Sequence, residues 1–259
     1  MIMTRFTLHV SRFTFCVLCI FCTLCTSAFA STKANADKLY EQEHYEEAAR
    51  LYEQILEQEG TAAEIYYNLG GCYYKLDNIP QAILNYERAL RLDPSDEDTR
   101  ANLALARAKT SDKVTPPSEM FFVTWWKNLC NSLSIDTWTI IGITSFVLML
   151  IGILIYMFLS NITLRKIGIY SAFLLFFVAA LANICAFSQQ YIVRSHTDGI
   201  ITSGAVTVKS SPSDSSTDLF IIHAGSKVQI LDESMQDWRE VKLEEGKQGW
   251  IPVNTFEVI

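Results

Sequence analysis

Four cysteines, Cys16, Cys19, Cys22 and Cys25, recur at every third residue near the start of the chain. Close spacing of this kind lets thiolates converge on an iron–sulfur cluster. Here it falls in an apolar run around Phe13–Leu24, behind Arg5 and Arg12 and ahead of Ala28-Phe29-Ala30. A basic start, a short apolar core and small residues at a peptidase spacing make an export signal. Residues 1–30 are therefore expected to be a cleavable signal peptide, with retention as an uncleaved anchor the alternative. Lipoprotein processing fits poorly, because Phe21 and Leu24 stand where a small residue is needed before Cys22 and Cys25. In such a core, Cys serves as a small hydrophobe.

The remaining groups that could do chemistry do not converge in sequence. His44, His196 and His223 stand alone, with no Cys or carboxylate at ligand spacing. There is no glycine-rich phosphate loop and no serine in a nucleophile elbow. No catalytic residue, metal or cofactor is expected, and the chain reads as a non-enzyme. Beyond the signal, Cys72, Cys130 and Cys185 remain. Cys72 falls in a helical repeat and Cys185 in an apolar span, so these two should not meet. Cys130 could approach Cys185 near the outer membrane surface. The fold does not rest on a disulfide framework despite an oxidising destination.

Charge narrows the partners. The chain holds 28 acidic and 21 basic residues, and loss of Arg5 and Arg12 with the signal moves the net charge from −7 to −9. Both soluble stretches, 31–112 and 197–259, are acidic. Nucleic-acid binding needs a basic face to displace counterions, so nucleic acid is not an expected partner.

Two apolar stretches, Trp138–Leu159 and Ile167–Phe187, stand back to back. Each is long enough to cross a hydrocarbon layer of roughly 30 Å as a helix. The connector, 160–166, carries Arg165 and Lys166, as a cytoplasmic loop would. Export of the N-terminus and two crossings then leave both soluble regions on the periplasmic side of the bacterial inner membrane. No Asp, Glu, Lys, Arg or His lies within the spans, which disfavours transport or proton relay. Gly142, Ser145 and Gly152 offer close helix approach, and Asn183 a hydrogen bond across the hairpin, or these residues only complete simple packing. Phe121, Phe122, Trp125 and Trp126 precede the first span. Aromatic residues favour the headgroup zone, so an interfacial helix is expected over 121–135, with an apolar partner surface the alternative. Pro116-Pro117 mark 111–120 as a linker.

Recognition is the chemistry left, and it lies in the two soluble regions. Tyr66, Leu69, Gly70, Tyr73, Ala82, Tyr86, Ala89 and Pro94 fall at the spacing of a tetratricopeptide (TPR) repeat. Gly70 and Ala82 let two helices cross closely, the tyrosines fill around the crossing, and Pro94 stops the second helix. Ala48 and Tyr52, 34 residues earlier, repeat Ala82 and Tyr86. Asn102-Leu103-Ala104, 34 residues later, repeats Asn68-Leu69-Gly70. Region 31–110 thus holds one full repeat at 63–96, a degenerate one before it and a capping helix after it. The groove of such an array would present Lys33, Asp37, Tyr40, Glu41, Tyr67, Tyr74 and Lys75 to a protein ligand, or the aromatics would only complete neighbouring packing. Gly71 stands where a carboxylate clamp needs a second asparagine, so a clamp is not expected.

From Ile200 the apolar period becomes alternating. Five strands are expected: Ala205–Lys209, Leu219–Ile222, Lys227–Leu231, Trp238–Leu243 and Gly249–Pro252. Val206-Thr207-Val208-Lys209-Ser210-Ser211-Pro212 and Gly249-Trp250-Ile251-Pro252 resemble the opening and closing motifs of bacterial SH3-like domains. Residues 197–259 are therefore expected to form a small all-β barrel, with Trp238 and Trp250 as ligand or core residues. The whole is a multidomain membrane protein: helical TPR hairpins, a two-helix transmembrane hairpin and an SH3-like barrel.

That order resembles the BatE-like family of the Bacteroides aerotolerance operon. The resemblance implies an accessory protein of a Bat-type envelope complex. Its partners would be membrane proteins with von Willebrand A domains and a companion TPR protein. A cell-wall tether that grips peptidoglycan through the SH3-like domain is the alternative. The geometry makes a first prediction: topology reporters inserted after Thr110 and after Ile259 should both report the extracytoplasmic side. Opposite sides would refute the hairpin.

Overall fold

The computed structural model describes residues 32–112, 120–195 and 197–259. The expected signal at 1–30, linker residues 113–119 and His196 lie outside the described residues.

The first layer is helical. Helix α1 (32–41) and α2 (Tyr45–Glu59) form one hairpin, α3 (Ala63–Lys75) and α4 (Ile79–Leu92) a second, and α5 (Glu97–Ala108) follows alone. The 34-residue repeat reaches the backbone itself. Each hairpin turns through a residue at positive φ, Glu43 at 65° and Asp77 at 58°, positions 34 apart. Non-glycine residues rarely adopt that region, so the matched pair marks the same turn used twice. Asn78 then caps α4 by accepting from Gln81 N.

The crossing of α3 and α4 depends on Gly70. A Cβ there would sit 2.8 Å from the Tyr86 ring. Tyr86 is buried beside Ala82, Ile83 and Leu84. A second cluster joins α1, α2 and α3 through Ala36, Ala48, Tyr52, Ile55 and Leu69. Helix α4 is buried on nearly every side, with seven residues between Ala82 and Ala89 out of solvent. A helix covered all round must be sandwiched between neighbours.

Two long apolar helices form the second unit. Helix α6 (Phe121–Cys130) precedes α7 (Ile135–Phe158) and α8 (Ile162–Arg194). Both α7 and α8 are long and apolar enough to cross a membrane. Their apolar side chains, including Ile140, Phe146, Phe173 and Phe177, lie exposed rather than packed. A core helix of a water-soluble domain would bury them, so these features support membrane association. Arg165 and Lys166, expected in a seven-residue connector, are already helical; only 159–161 separate the two helices. The helices close most tightly where Gly152 meets Gly168. A Cβ on either would sit 2.7–2.8 Å from the other's carbonyl oxygen. Asn183 follows the packing alternative. Its amide donates to Ala179 O in its own helix at 2.8 Å and lies against Gly142, so it does not bond across the hairpin.

The third unit is an antiparallel sheet of seven strands in the order β3-β2-β6-β5-β4-β1-β7. The strands are β1 (Asp198–Ile201), β2 (Ala205–Lys209), β3 (Asp218–His223), β4 (Lys227–Asp232), β5 (Trp238–Leu243), β6 (Gln248–Pro252) and β7 (Phe256–Val258). Val206, Val208, Ile222, Ile230, Val241 and Ile251 fill its interior. Gly249 is required where β6 crosses β2, since a Cβ would come within 2.4 Å of Val208. The alternating pattern missed β1 and β7. Both are short, and their apolar residues serve a second contact described below.

Substituting Gly70 by Leu should overpack the α3–α4 crossing. We expect a loss of about 1–3 kcal/mol, read by denaturant unfolding followed through far-UV circular dichroism. An unchanged midpoint would refute the close crossing.

Candidate interaction surfaces

The residues expected to line a groove lie on the first helix of each repeat, α1 and α3, with α5 beside them. Asp37 is the polar centre of this face. Its carboxylate accepts from the Tyr52 hydroxyl at 2.6 Å, the Asn68 amide at 3.4 Å and Lys33 Nζ at 2.8 Å. Lys33 also pairs with Glu64 at 2.9 Å, and the two acids raise its pKa. Burial, and then the bond to Asp37, holds the Tyr52 phenol well above its ordinary value, so it stays a donor.

Tyr40 sits edge-on to Tyr45 at 5.3 Å. A Cβ on Gly71 would lie 3.3 Å from the Tyr40 hydroxyl. The small residue that disfavoured a carboxylate clamp is therefore the one that lets Tyr40 cover α3. Tyr67 tilts against Tyr86 at 6.1 Å and accepts from the Asn102 amide at 3.1 Å. Lys109 stands 4.4 Å over the Tyr74 ring. Tyr40, Tyr67 and Tyr74 are thus half-buried and join neighbouring helices, while Glu41 and Lys75 are exposed. Tyr52, buried on α2, and Asn102, on α5, hold Asp37 and Tyr67 in place from behind.

On the β module, strand register places both tryptophans on one face. Trp238 pairs with Pro252 and Glu240 with Trp250, while Val241 and Ile251 point to the core. Trp238 and Trp250 are therefore diagonal neighbours on the outer face, within reach for large side chains. Lys209 pairs with Trp250 from the other side. Both rings are half-buried and neither belongs to the core cluster.

The main departure from expectation is that the two modules are docked. A third repeat would cover α4 and α5 with another helix. Its first capping residue, in step with His44 and Asn78, would be Asp112. Instead Asp112 accepts from His223 N at 2.8 Å and Ser226 Oγ at 3.0 Å, and meets His223 Nδ1 at 2.7 Å. It caps the β3–β4 turn. Gly225 completes the fit: its φ is +90°, and a Cβ would strike Thr110 at 2.7 Å and Ile83 at 3.1 Å. Ile200 and Ile259 join Ile83, Leu84, Leu103 and Ala106 in one buried cluster. The expected cap, α5, therefore does not end the stack; the β module continues it.

Charge closes the same interface. The buried Glu87 carboxylate accepts from Lys227 at 3.0 Å and pairs with Arg107. Lys227 also reaches Asp198 at 3.2 Å. Burial alone would lower the Lys227 pKa, but Glu87 and Asp198 outweigh it and raise it. Gln81 donates to Glu257 at 2.6 Å, and Arg88 to Val258 O at 2.7 Å. Arg91 reaches Val193 O at 2.9 Å, and also Ser195 O and Ile259 O, tying α4 to the end of α8. A cleft of about 190 Å³ opens at this three-way junction. His223, isolated in sequence, has its partner 111 residues away. Among the described residues, no three His, Cys, Asp or Glu side chains converge to hold a metal ion.

Comparison with known proteins agrees with this division. The tetratricopeptide repeat family matches residues 63–96, and the bacterial SH3 domain family matches residues 204–256. Tetratricopeptide repeat protein 16 from Macaca fascicularis and from Homo sapiens are each 33% identical over 70 residues, 27% of this chain and 8% of theirs. Sperm-associated antigen 1 from Mus musculus is 32% identical over 89 residues, 34% of this chain and 10% of its own. The chain thus matches at most a tenth of the length of these relatives. Among solved structures, PcrH from Pseudomonas aeruginosa overlaps 63% of this chain and 92% of its own, at 13% identity and a TM-score of 0.32. The class is a multidomain chain of TPR-like helices, two apolar helices and an SH3-like β module, whose soluble parts are types that typically serve interaction.

Docking should respond to acid through Asp112. Burial alone would raise its pKa, but the bonds from His223 and Ser226 outweigh that and hold it below its ordinary 3.8. Its contribution is therefore complete above about pH 4 and lost as pH falls through the folded value. That of Lys227, raised above 10.5, is complete below that value and lost at higher pH. Asp112→Asn should cost about 1–3 kcal/mol of docking at neutral pH and shrink the acid limb. Faster hydrogen exchange in β1 and α4 peptides checks it; unchanged exchange would remove Asp112 from the interface.

Proposed function

We propose that this chain is a non-enzymatic scaffold of the bacterial inner membrane. It holds a TPR groove and an SH3-like face in the periplasm as one docked body. The single observation that carries this reading is the interface built from Asp112, Glu87 and Lys227. A flexible pair of modules would bind as two tethered sites; a docked pair presents two surfaces in fixed relation. The groove helices α1, α3 and α5 carry Glu41 and Lys75 exposed, and the Trp238–Trp250 face lies on the outside of the sheet.

The expected signal peptide and the two adjacent cations Arg165 and Lys166 support periplasmic placement of both modules, with residues 160–166 on the cytoplasmic side. The exposed aromatic face of α6, with Phe121, Phe122 and Trp125, suits the headgroup layer. The order of modules resembles the BatE-like proteins. On that basis the partners are von Willebrand A domain membrane proteins and a companion TPR protein of a Bat-type complex.

A second reading rests on the tryptophans. Two indoles at diagonal positions on one face suit a sugar or peptide ligand, so the chain would tether the membrane to peptidoglycan. One experiment with the full chain separates the two. For a scaffold, the double charge reversal Glu41→Lys with Lys75→Glu should lower capture of a von Willebrand A domain partner about tenfold, or ~1.4 kcal/mol. Purified sacculi should not co-sediment the protein. Sedimentation that is lost with Trp238→Ala and Trp250→Ala would assign the tether instead.

A further inference from the structure

We infer that Cys130 and Cys185 form a structural disulfide that staples helix α6 to the outer end of α8. The two sulfurs lie 2.8 Å apart and are buried, on elements 55 residues apart in sequence. A disulfide needs about 2.03–2.05 Å between sulfurs and side chains already facing one another. The facing is met here, and it is fixed by groups other than the thiols.

The last carbonyls of a helix have no partner within it. At the end of α6, the Cys130 carbonyl accepts from the Trp138 indole at 2.8 Å and from the Gln189 amide at 2.6 Å. The same amide donates to Leu133 O at 2.9 Å. Gln189 lies one turn beyond Cys185 on the same face of α8. Thus α7 and α8 both hold the backbone of Cys130, and the arm that holds it places Cys185 beside it. Trp126, Trp138, Leu133 and Ala182 close the pocket around the pair. A contact made by chance between two mobile thiols would lack this frame.

Position along the membrane normal matters as much. Cys185 is 19 residues beyond Lys166, about 28 Å along the helix at 1.5 Å per residue. With Arg165 and Lys166 at one surface, the pair lies at the other. This rests on the periplasmic placement proposed above, which puts the thiols where disulfides persist.

The oxidant is a protein disulfide donor of the envelope. The Cys130 thiolate attacks a donor sulfur and forms a mixed disulfide, expelling one donor thiolate that takes up a proton. The Cys185 thiolate then attacks the Cys130 sulfur and releases the second donor thiol. Two thiols of this chain become one disulfide, and the donor disulfide becomes two thiols. In the docked state burial pushes the Cys130 thiol up to about 12. Thiolate is then scarce, so exchange occurs before α6 settles, and the finished bond is shielded from reductants. The bond is therefore a permanent staple rather than a switch.

The test uses full-length protein in membranes, with thiols blocked by acid quenching before denaturation. Maleimide-polyethylene glycol then counts free cysteines with and without dithiothreitol. Wild type should gain two labels on reduction. Cys130→Ser and Cys185→Ser should each show one label more than unreduced wild type and gain none on reduction. Native membranes should resist dithiothreitol roughly tenfold longer than protein in dodecyl sulfate. Equal labelling of wild type with and without reductant would overturn the staple, and equal reduction rates would overturn its permanence. A topology reporter after Ile259 in the same cells judges placement separately. A cytoplasmic signal refutes the placement, while the label count still decides the bond.

Discussion

The uncovered face of α4 and α5 is the constraint on which the arrangement turns. Two TPR hairpins and a lone helix leave Ile83, Leu84, Leu103 and Ala106 with nothing above them. Solenoid repeats bury a core only by stacking, and a terminal repeat needs a cover. In this chain the cover comes from strands β1 and β7 and the β3–β4 turn. Apolar burial at Ile200 and Ile259 supplies the attraction. Asp112 and Glu87 fix its orientation, because a buried carboxylate without partners would be costly.

This solution has a consequence for the rest of the chain. The β module is entered from the end of α8 and finishes on α4. Arg91 links that α4 end to the carbonyls of Val193 and Ser195. The two apolar helices are therefore joined to the soluble body by hydrogen bonds as well as by the chain. Helix α8 at 33 residues runs about 50 Å, longer than a hydrocarbon layer of roughly 30 Å. At the same end of α8 that Arg91 reaches, α6 is anchored to α7 and α8 by Trp138 and Gln189.

Much of the fold was legible in the residues. The 34-residue spacing gave the hairpins, because interhelix packing tolerates only small residues at Gly70 and Ala82. The alternation from Ala205 to Pro252 gave five strands, because one face is core. The spans announced themselves by length and apolarity. Strands β1 and β7 stayed hidden because they are short and because Ile200 in β1 and Ile259 just beyond β7 pack on the TPR helices, which breaks simple alternation. The bonding among the first helices was not legible. Asp37 meets Tyr52 and Asn68 through the packing of three helices, and no local pattern carries that. The tryptophans could be singled out, but their shared face follows from the register of β5 on β6.

The sequence by itself determined the modules, their order and their local geometry, because helix period, strand period and span length are properties of neighbouring residues. It even carried the repeat register through to Asp112, where the second helix of a third repeat would begin. Only the tertiary structure decided what that carboxylate does. His223 and Ser226 lie more than a hundred residues further on. Lys227 reaches Glu87 from equally far. Such pairings depend on where two finished modules touch, and a surface contact between acidic domains leaves no periodic trace in either one.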